Sequence, residues 1–444
     1  MFFGESWTVS KFSESVDHCE VEASYIVEPD HCTKCGVVGE LYRHGTKTID
    51  VVDLPLRMVP TIIRLIQKRY QCRACKKTFI QPNPDIDPKR RITKRCVDYI
   101  EKQALRQTFT SIADSIGIDE KTVRLIVGEH LERVSNTYRI VAPDILGIDE
   151  IHLIKQPRAV FTDIGRKKLI DMLPNRNVEL VKQWLSNLPH KEHVKYVAID
   201  MWRGYKTAVN AILPDAQVVI DKFHVVRMAN QAVDTVRKQQ QSKLNKRGRI
   251  SYKRGAYILR KRNHNLSDKQ WLALDGWLKN EPTIEQAYNA KESYYAIFEH
   301  EVRADAEAAY DEWKSGLTGV VAKAFASLVK ATDNWRDEIF ALIDTNVTNA
   351  FTESMNNLTR LDNRIGRGYS FDMIRARMLF GRGVEYSYRC SSCSGIFSLD
   401  EMKYTTKNPI AICPSCLPRV QAIFSEYISN YSTQDAIDAA KSKE

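Results

Sequence analysis

Ile145-Leu146-Gly147-Ile148-Asp149-Glu150, an apolar run closing on two carboxylates, is too short for a helix and reads as a buried strand. Four more runs of this kind follow, Ala159–Asp163, Lys168–Leu173, Tyr196–Asp200 and Gln217–Asp221, with helical patterns over Val178–Leu188 and Trp202–Leu213. Three strands close together and then alternating helix and strand describe a mixed α/β sheet. Tyr196-Val197-Ala198-Ile199-Asp200 ends, like the first run, on an aspartate. Asp149 and Asp200 are therefore expected side by side at one edge of the sheet, each at a strand end.

Far downstream, Ala350-Phe351-Thr352-Glu353-Ser354-Met355-Asn356-Asn357 sets a glutamate among amides in a helical run. Asn349, Glu353, Asn356 and Asn357 fall at i−4, i, i+3 and i+4, which is one helix face. Magnesium or manganese is a hard cation that takes carboxylate oxygens, and two such ions stand roughly 3.5–4 Å apart in metal-assisted phosphoryl transfer. Asp149, Asp200 and Glu353 are thus the candidate ligands of two divalent ions. Asp221 is the nearest rival for a ligand position, and His224 and Asn356 are placed to orient the ligands. For either aspartate alone, a solvated strand end is the competing explanation; the trio together favours metal.

The chain of 444 residues is 43% hydrophobic, enough for several cores, and its net charge of +11 points to a polyanionic partner, nucleic acid before membrane. The opening Met1-Phe2-Phe3-Gly4-Glu5-Ser6-Trp7 lacks the basic and apolar regions of a signal peptide, and no apolar run is long enough to span a bilayer. A soluble, cytoplasmic protein is expected.

Of ten cysteines, eight fall in four Cys-x-x-Cys pairs, which in a reducing compartment favours thiolate metal sites over disulfides. Cys32, Cys35, Cys72 and Cys75 make one zinc quartet, with strand-like Thr48–Leu54 and Thr61–Ile66 between the pairs to bring the knuckles together. His31 and His44 could replace a ligand, while Cys19 and Cys96 lack partners at ligand spacing. Cys390, Cys393, Cys413 and Cys416 make a second, shorter quartet, so two zinc ions are expected. In both, zinc substitutes for a core that so short a segment cannot build.

Beyond the Pro-rich break at 81–88, Phe109–Ile126 has the punctuation of a helix-turn-helix. Ala113 permits close crossing, Gly117 takes the turn, Asp119 caps the second helix, and Ile118, Val123 and Ile126 pack inward. Lys121, Thr122 and Arg124 then face the major groove. A second basic block runs Arg237, Lys238, Lys243, Lys246, Arg247, Arg249, Lys253, Arg254, Arg260, Lys261 and Arg262, interleaved with Tyr252 and Tyr257, and Arg247, Arg249, Lys253 and Arg254 are its candidate phosphate contacts. Arg360, Arg364, Arg367, Arg375 and Arg377 follow Glu353 and are expected to grip the scissile strand.

These motifs, in this order, resemble the ISL3 (ISL-three) family of bacterial insertion-sequence transposases, a branch of the Asp-Asp-Glu group with a ribonuclease-H-like catalytic fold. The resemblance rests on the first ribbon with Val52-Asp53-Leu54-Pro55 and Arg69-Tyr70-Gln71-Cys72, the helix-turn-helix, and Gly147-Ile148-Asp149-Glu150. Ile199–Tyr205, Asp221–Val226 and the Glu353-x-x-Asn356 helix with Gly368-Tyr369 complete it. It implies an Asp149, Asp200 and Glu353 triad, and a helical insertion before Glu353. The implied reaction is DNA cleavage at terminal inverted repeats followed by strand transfer to target DNA, by a homodimer or higher assembly that associates with the nucleoid. The second cysteine quartet departs from the family pattern. The implied layout is a zinc ribbon (1–88), a helix-turn-helix (89–142), a catalytic domain (143–386) with its insertion at about 229–345, and a C-terminal zinc segment (387–444). Two other outcomes are kept in view: a catalytically silent DNA-binding derivative, and a nuclease of the same fold that never joins strands.

Overall fold

The computed structural model describes residues 5–366 and 368–381, with the backbone of the short strands Ser387–Arg389, Ile396–Ser398, Tyr404–Thr405 and Ala411–Ile412. Arg367, Cys390, Cys393, Cys413, Cys416 and the side chain of Arg254 lie outside the described residues. The chain divides into two compact units, Met1–Arg139 with Ala376–Glu444, and Ile140–Arg375.

In the first unit, strands β1 (Trp7–Glu14), β2 (Cys19–Tyr25), β3 (Leu41–Leu56), β4 (Val59–Cys72) and β5 (Thr78–Ile80) form one sheet in the order β1-β2-β4-β3, with β5 on β4. The expected strands Thr48–Leu54 and Thr61–Ile66 are only the inner parts of β3 and β4. These run on as a long hairpin because Arg57 and Met58 adopt left-handed φ of 49° and 70°, the backbone a tight two-residue turn demands. Alternation on β2 buries Val21, Ala23 and Tyr25 against Trp7, Val51, Ile63 and Leu65.

Helices α1 (Lys94–Ala104), α2 (Phe109–Ile116) and α3 (Glu120–Thr137) follow. Thr93, Thr108 and Asp119 each cap a helix with a side-chain oxygen. Gly117 turns between α2 and α3 at φ +78°, and a Cβ there would stand 2.9 Å from Pro60 at the start of β4. Asp53, buried in β3, accepts from Thr93 Oγ1 at 2.6 Å and Arg95 Nε at 2.8 Å, which pins α1 to the ribbon sheet.

In the second unit, β6 (Ile145–Leu153), β7 (Gln156–Asp163) and β8 (Lys168–Leu173) are an antiparallel meander. β9 (Tyr196–Ile199) and β10 (Gln217–Ile220) are parallel to β6 and to each other, giving the order β10-β9-β6-β7-β8. Helices α4 (Val178–Ser186) and α5 (Arg203–Ile212) make the parallel crossovers. After β10, Asp221 caps α6 (Lys222–Ser242), which runs unbroken through 229. Then come α7 (Lys246–Arg260), α8 (Asp268–Asn280), α9 (Pro282–Ile297), α10 (Arg303–Ser315), α11 (Gly319–Asn334) and α12 (Arg336–Thr345). The chain returns to the sheet through α13 (Ala350–Ile365) and α14 (Phe371–Ala376). One hydrophobic cluster joins Ile148, Val197 and Ile199 of the sheet to Val225 and Val233 of α6 and to Tyr294, Tyr310 and Phe325 beyond it. The insertion therefore shares the core of the sheet. Among the described residues no helix is long and apolar enough to cross a membrane.

Candidate active site

Asp149 is not at a strand end. β7 continues to pair with β6 as far as Leu153, which leaves Asp149 in mid-strand opposite Val160. Nor is the pair of aspartates at a sheet edge, since β6 and β9 are neighbours in the middle of the order. On the β9 side, however, pairing stops at Gly147↔Ala198, and continuing that register by two residues brings Asp149 level with Asp200. The aspartates therefore meet where β9 gives out.

α13 brings Glu353 into the electrostatic field of Asp149. Asn356 Nδ2, one turn on, donates to Asp149 Oδ2 at 2.8 Å across 207 residues of sequence. Glu150 N donates to the other oxygen at 2.8 Å. The approach depends on Gly147, where a Cβ would lie closer than 3.0 Å to Thr162 Oγ1, Thr352 Oγ1 and Asn349 Oδ1. Those atoms already bond one another, Thr162 to Thr352 at 2.6 Å and Thr352 to Asn349. Sequence reasoning missed this role, although an isolated glycine inside a strand is a signal of close backbone approach. Of the four residues expected on one face of α13, Asn349 and Asn356 are buried and Glu353 is half-buried, whereas Asn357 is exposed and accepts from Arg360.

Burial pushes the Asp149 carboxyl up to about 7, with Asp200 and Glu353 adding to it against the Glu150 N–H and the Arg360 guanidinium. Asp200 is pushed up to about 6, again by burial first and then by Glu150, against Trp202 N–H and Arg176. Asp149 and Asp200, carboxylates at neighbouring strands with raised pKa values, are a donor set that hard divalent cations fit. Among the described residues, only a group of sulfurs has three or more potential ligand atoms all within 4.8 Å of one another. The carboxylate trio is not so tightly grouped.

His224 titrates below its ordinary value because it is buried, with Asp221 and Glu353 pulling the other way. Asp221 is buried and accepts from Phe223 N at 3.2 Å as the cap of α6. Tyr205 OH donates to the Asp149 carbonyl at 3.2 Å and fixes the backbone beneath the site.

Cys32, Cys35, Cys72 and Cys75 converge at the ribbon end of β4, with Cys32–Cys75 and Cys35–Cys72 sulfur separations of 3.8 and 3.7 Å. Tetrahedral zinc with bonds of about 2.3 Å requires sulfurs about 3.8 Å apart, so the quartet fits zinc. Burial opposes ionisation of Cys32, but N–H groups of Lys34 and Cys35 and neighbouring thiols bring it down to about 7. His31 is turned to Asp30 and takes no part. Cys19 and Cys96 are buried away from the cluster.

The candidate DNA contacts divide. Lys121 and Arg124 are exposed and Thr122 half-buried on α3, though Arg124 is paired with Glu120 at 2.6 Å. Arg247 and Lys253 are exposed on α7. Arg249 differs from expectation: its guanidinium donates to the carbonyls of Leu244 (2.9 Å) and Ser242 (3.0 Å), closing the end of α6. Arg237 is buried against Asp234, Tyr252 is core, and Arg262 pairs with Glu299 at 2.7 Å. Arg364 is exposed, and Arg360 stands 3.7 Å from Glu353. Arg375 and Arg377 are corrections, since Arg375 pairs with Asp171 at 2.6 Å and buried Arg377 donates to the carbonyls of Ala104 and Gln107 at 2.7 and 2.8 Å.

Three family models match the chain. One described as a transposase, for the ISL3 group of Asp-Asp-Glu enzymes, covers residues 146–378. The zinc-finger of transposase IS204/IS1001/IS1096/IS1165 covers 28–75, and the helix-turn-helix domain of transposase family ISL3 covers 81–127. The chain is similar to the transposase for insertion sequence element IS1001 of Bordetella parapertussis, 24% identical over 349 residues, 76% of this chain and 85% of that protein. It is also similar to the transposase for insertion sequence element IS1557 of Mycobacterium tuberculosis, 24% identical over 294 residues, 59% of this chain and 65% of that one.

Proposed function

The chain belongs to the ISL3 family of transposases, and from that premise we propose that Asp149, Asp200 and Glu353 are the carboxylates at which it cuts and joins DNA. The single observation that carries this reading is the hydrogen bond from Asn356 on the Glu353 helix to Asp149 Oδ2, at 2.8 Å. The strand order, with β6 central and β9 and β10 parallel to it, supports a ribonuclease-H-like sheet beneath them.

Asp149, which has both Asp200 and Glu353 in its field, would with them hold magnesium or manganese ions. Such ions, when bound, supply Lewis acidity to the attacking and leaving oxygens of an in-line displacement. The chain's own part is to hold the carboxylates still: Asn356 and Glu150 N–H fix both oxygens of Asp149. Arg360 neutralises Glu353 from the solvent side. A water oxygen would attack phosphorus at the element's end, breaking the P–O3′ bond to leave a 3′ hydroxyl and a 5′ phosphate; that 3′ oxygen, losing its proton, would then attack a target phosphodiester and expel the target strand's 3′ oxygen as a new 3′ hydroxyl.

The zinc ribbon and the helix-turn-helix share one unit and are assigned to the terminal inverted repeats, read by Lys121, Thr122 and Arg124. Cys390, Cys393, Cys413 and Cys416 are assigned a second zinc on spacing alone. Pairing two element ends calls for a dimer or larger assembly on DNA.

The test is incubation with a duplex ending in the element's own repeat, plus magnesium or manganese, with the breaks and joined products mapped. Asp149→Asn, Asp200→Asn and Glu353→Gln should each abolish cleavage while DNA binding persists. A variant that cuts at the wild-type rate removes that residue from the set, and cleavage without joined product favours a nuclease.

A further inference from the structure

Arg176 is in the loop between β8 and α4, where the sequence gives no hint of a role, yet it is held from two sides. Its guanidinium pairs with Glu150, the residue after Asp149, and lies 4.8 Å from the centre of the Trp202 ring. Trp202 is itself fixed. Its ring meets Tyr205 edge-on at 4.7 Å, its backbone N–H donates to Asp200 Oδ1 at 3.1 Å, and Gly204 leaves room for the indole where a Cβ would collide with it. Asp149, Glu150, Arg176, Trp202 and Asp200 thus form a closed run of contacts around the Asp200 side of the carboxylates.

An arginine held over an aromatic ring and paired to a carboxylate has lost much of its side-chain freedom in advance, and its planar fork suits a phosphate through two parallel hydrogen bonds. This one keeps 36% of its side chain exposed, so part of the fork faces solvent. The guanidinium that acts on Asp149, Arg360, is on the Glu353 side and is paired there. A DNA strand at this site meets the carboxylates of Asp149, Asp200 and Glu353, and at the Asp200 end Arg176 is the guanidinium that acts on the carboxylate.

We propose that Arg176, braced by Glu150 and Trp202, clamps a backbone phosphate of the DNA strand being cut, beside the scissile phosphodiester. This rests on the active-site reading above and adds to it a residue that positions DNA. The competing role is charge balance alone, in which Arg176 only offsets Glu150 and Asp200.

Binding of a duplex carrying the element's end and its flank would be measured without divalent metal, over a series of salt concentrations, in full-length Asp149→Asn protein. Arg176→Gln should weaken binding about tenfold and reduce the slope of log affinity against log salt by about 1, as expected for one lost phosphate contact. Arg176→Lys, which keeps the charge and loses the fork, should recover only part of the affinity. Adding Glu150→Gln to Arg176→Gln separates the roles, because charge balance predicts recovery and the clamp predicts none. An unchanged slope in Arg176→Gln, or recovery in the double variant, overturns the proposal. Cleavage by the otherwise wild-type chain is followed in parallel: if that chain cuts and Arg176→Gln binds and cuts equally well, the clamp alone fails. If the parent neither binds nor cuts, the active-site reading fails.

Discussion

At the scale of single residues, the site is a store of unfavourable charge. Asp149 has an ordinary carboxyl value of 3.8 and is held at about 7 in the fold. Between those values the folded state binds more protons than the unfolded one, so the metal-free protein loses stability as pH rises from about 4 to about 7. Asp149→Asn should flatten that slope and raise metal-free stability at pH 8 by on the order of 3 kcal/mol, measured by denaturant unfolding of the second unit. Added magnesium should stabilise wild type more at pH 8 than at pH 5, because it competes with protons for the carboxylates. Gly147→Ala makes a different prediction. Its methyl would displace the Thr162–Thr352–Asn349 contact, costing about 1–3 kcal/mol by overpacking and a larger share of cleavage activity, since Glu353 moves with the helix. That Asp149 and Asp200 lie side by side at neighbouring strands was legible from two apolar runs that each carry an aspartate. Gly147 and Arg176 were not, because what they touch comes from segments distant in sequence.

At the scale of elements, the helix-turn-helix was readable almost to the residue, since caps and a left-handed glycine are local signals that need no tertiary knowledge. The basic block was readable only as composition. Its charges have different work, and what separates them is a set of carbonyls and carboxylates that a charge count cannot see: Arg249 closes α6, Arg237 is buried with Asp234, and Arg247 and Lys253 face solvent. Two substitutions should therefore part company. Lys121→Ala should weaken DNA binding and lower the salt slope by about 1 with little change in thermal midpoint. Arg249→Ala should leave the salt slope near wild type and lower the midpoint of the second unit, as removal of a helix-end donor does. Equal salt slopes for the two variants would return Arg249 to the DNA-contact set.

At the scale of the whole molecule, the order of modules was legible and the way the chain uses its length was not. The insertion was expected to begin at about 229, but α6 starts at Lys222 and continues the core of the sheet, because its Val225, Ala229 and Val233 extend the apolar face begun by Val218 and Ile220. Arg377 was expected near DNA and instead satisfies carbonyls at the end of α1 and the entry to α2, drawing the chain after Ala376 into the first unit. The claim on which the account depends is that three carboxylates from distant parts of this chain hold the same pair of ions. Ferrous iron loaded in place of magnesium, with ascorbate and peroxide, breaks the backbone beside whatever residues hold it, and the fragments can be sized by mass spectrometry. The account predicts cuts near 149, near 200 and near 353, all suppressed together by excess magnesium. Magnesium-sensitive cuts near 149 and 200 with none near 353 would contradict it.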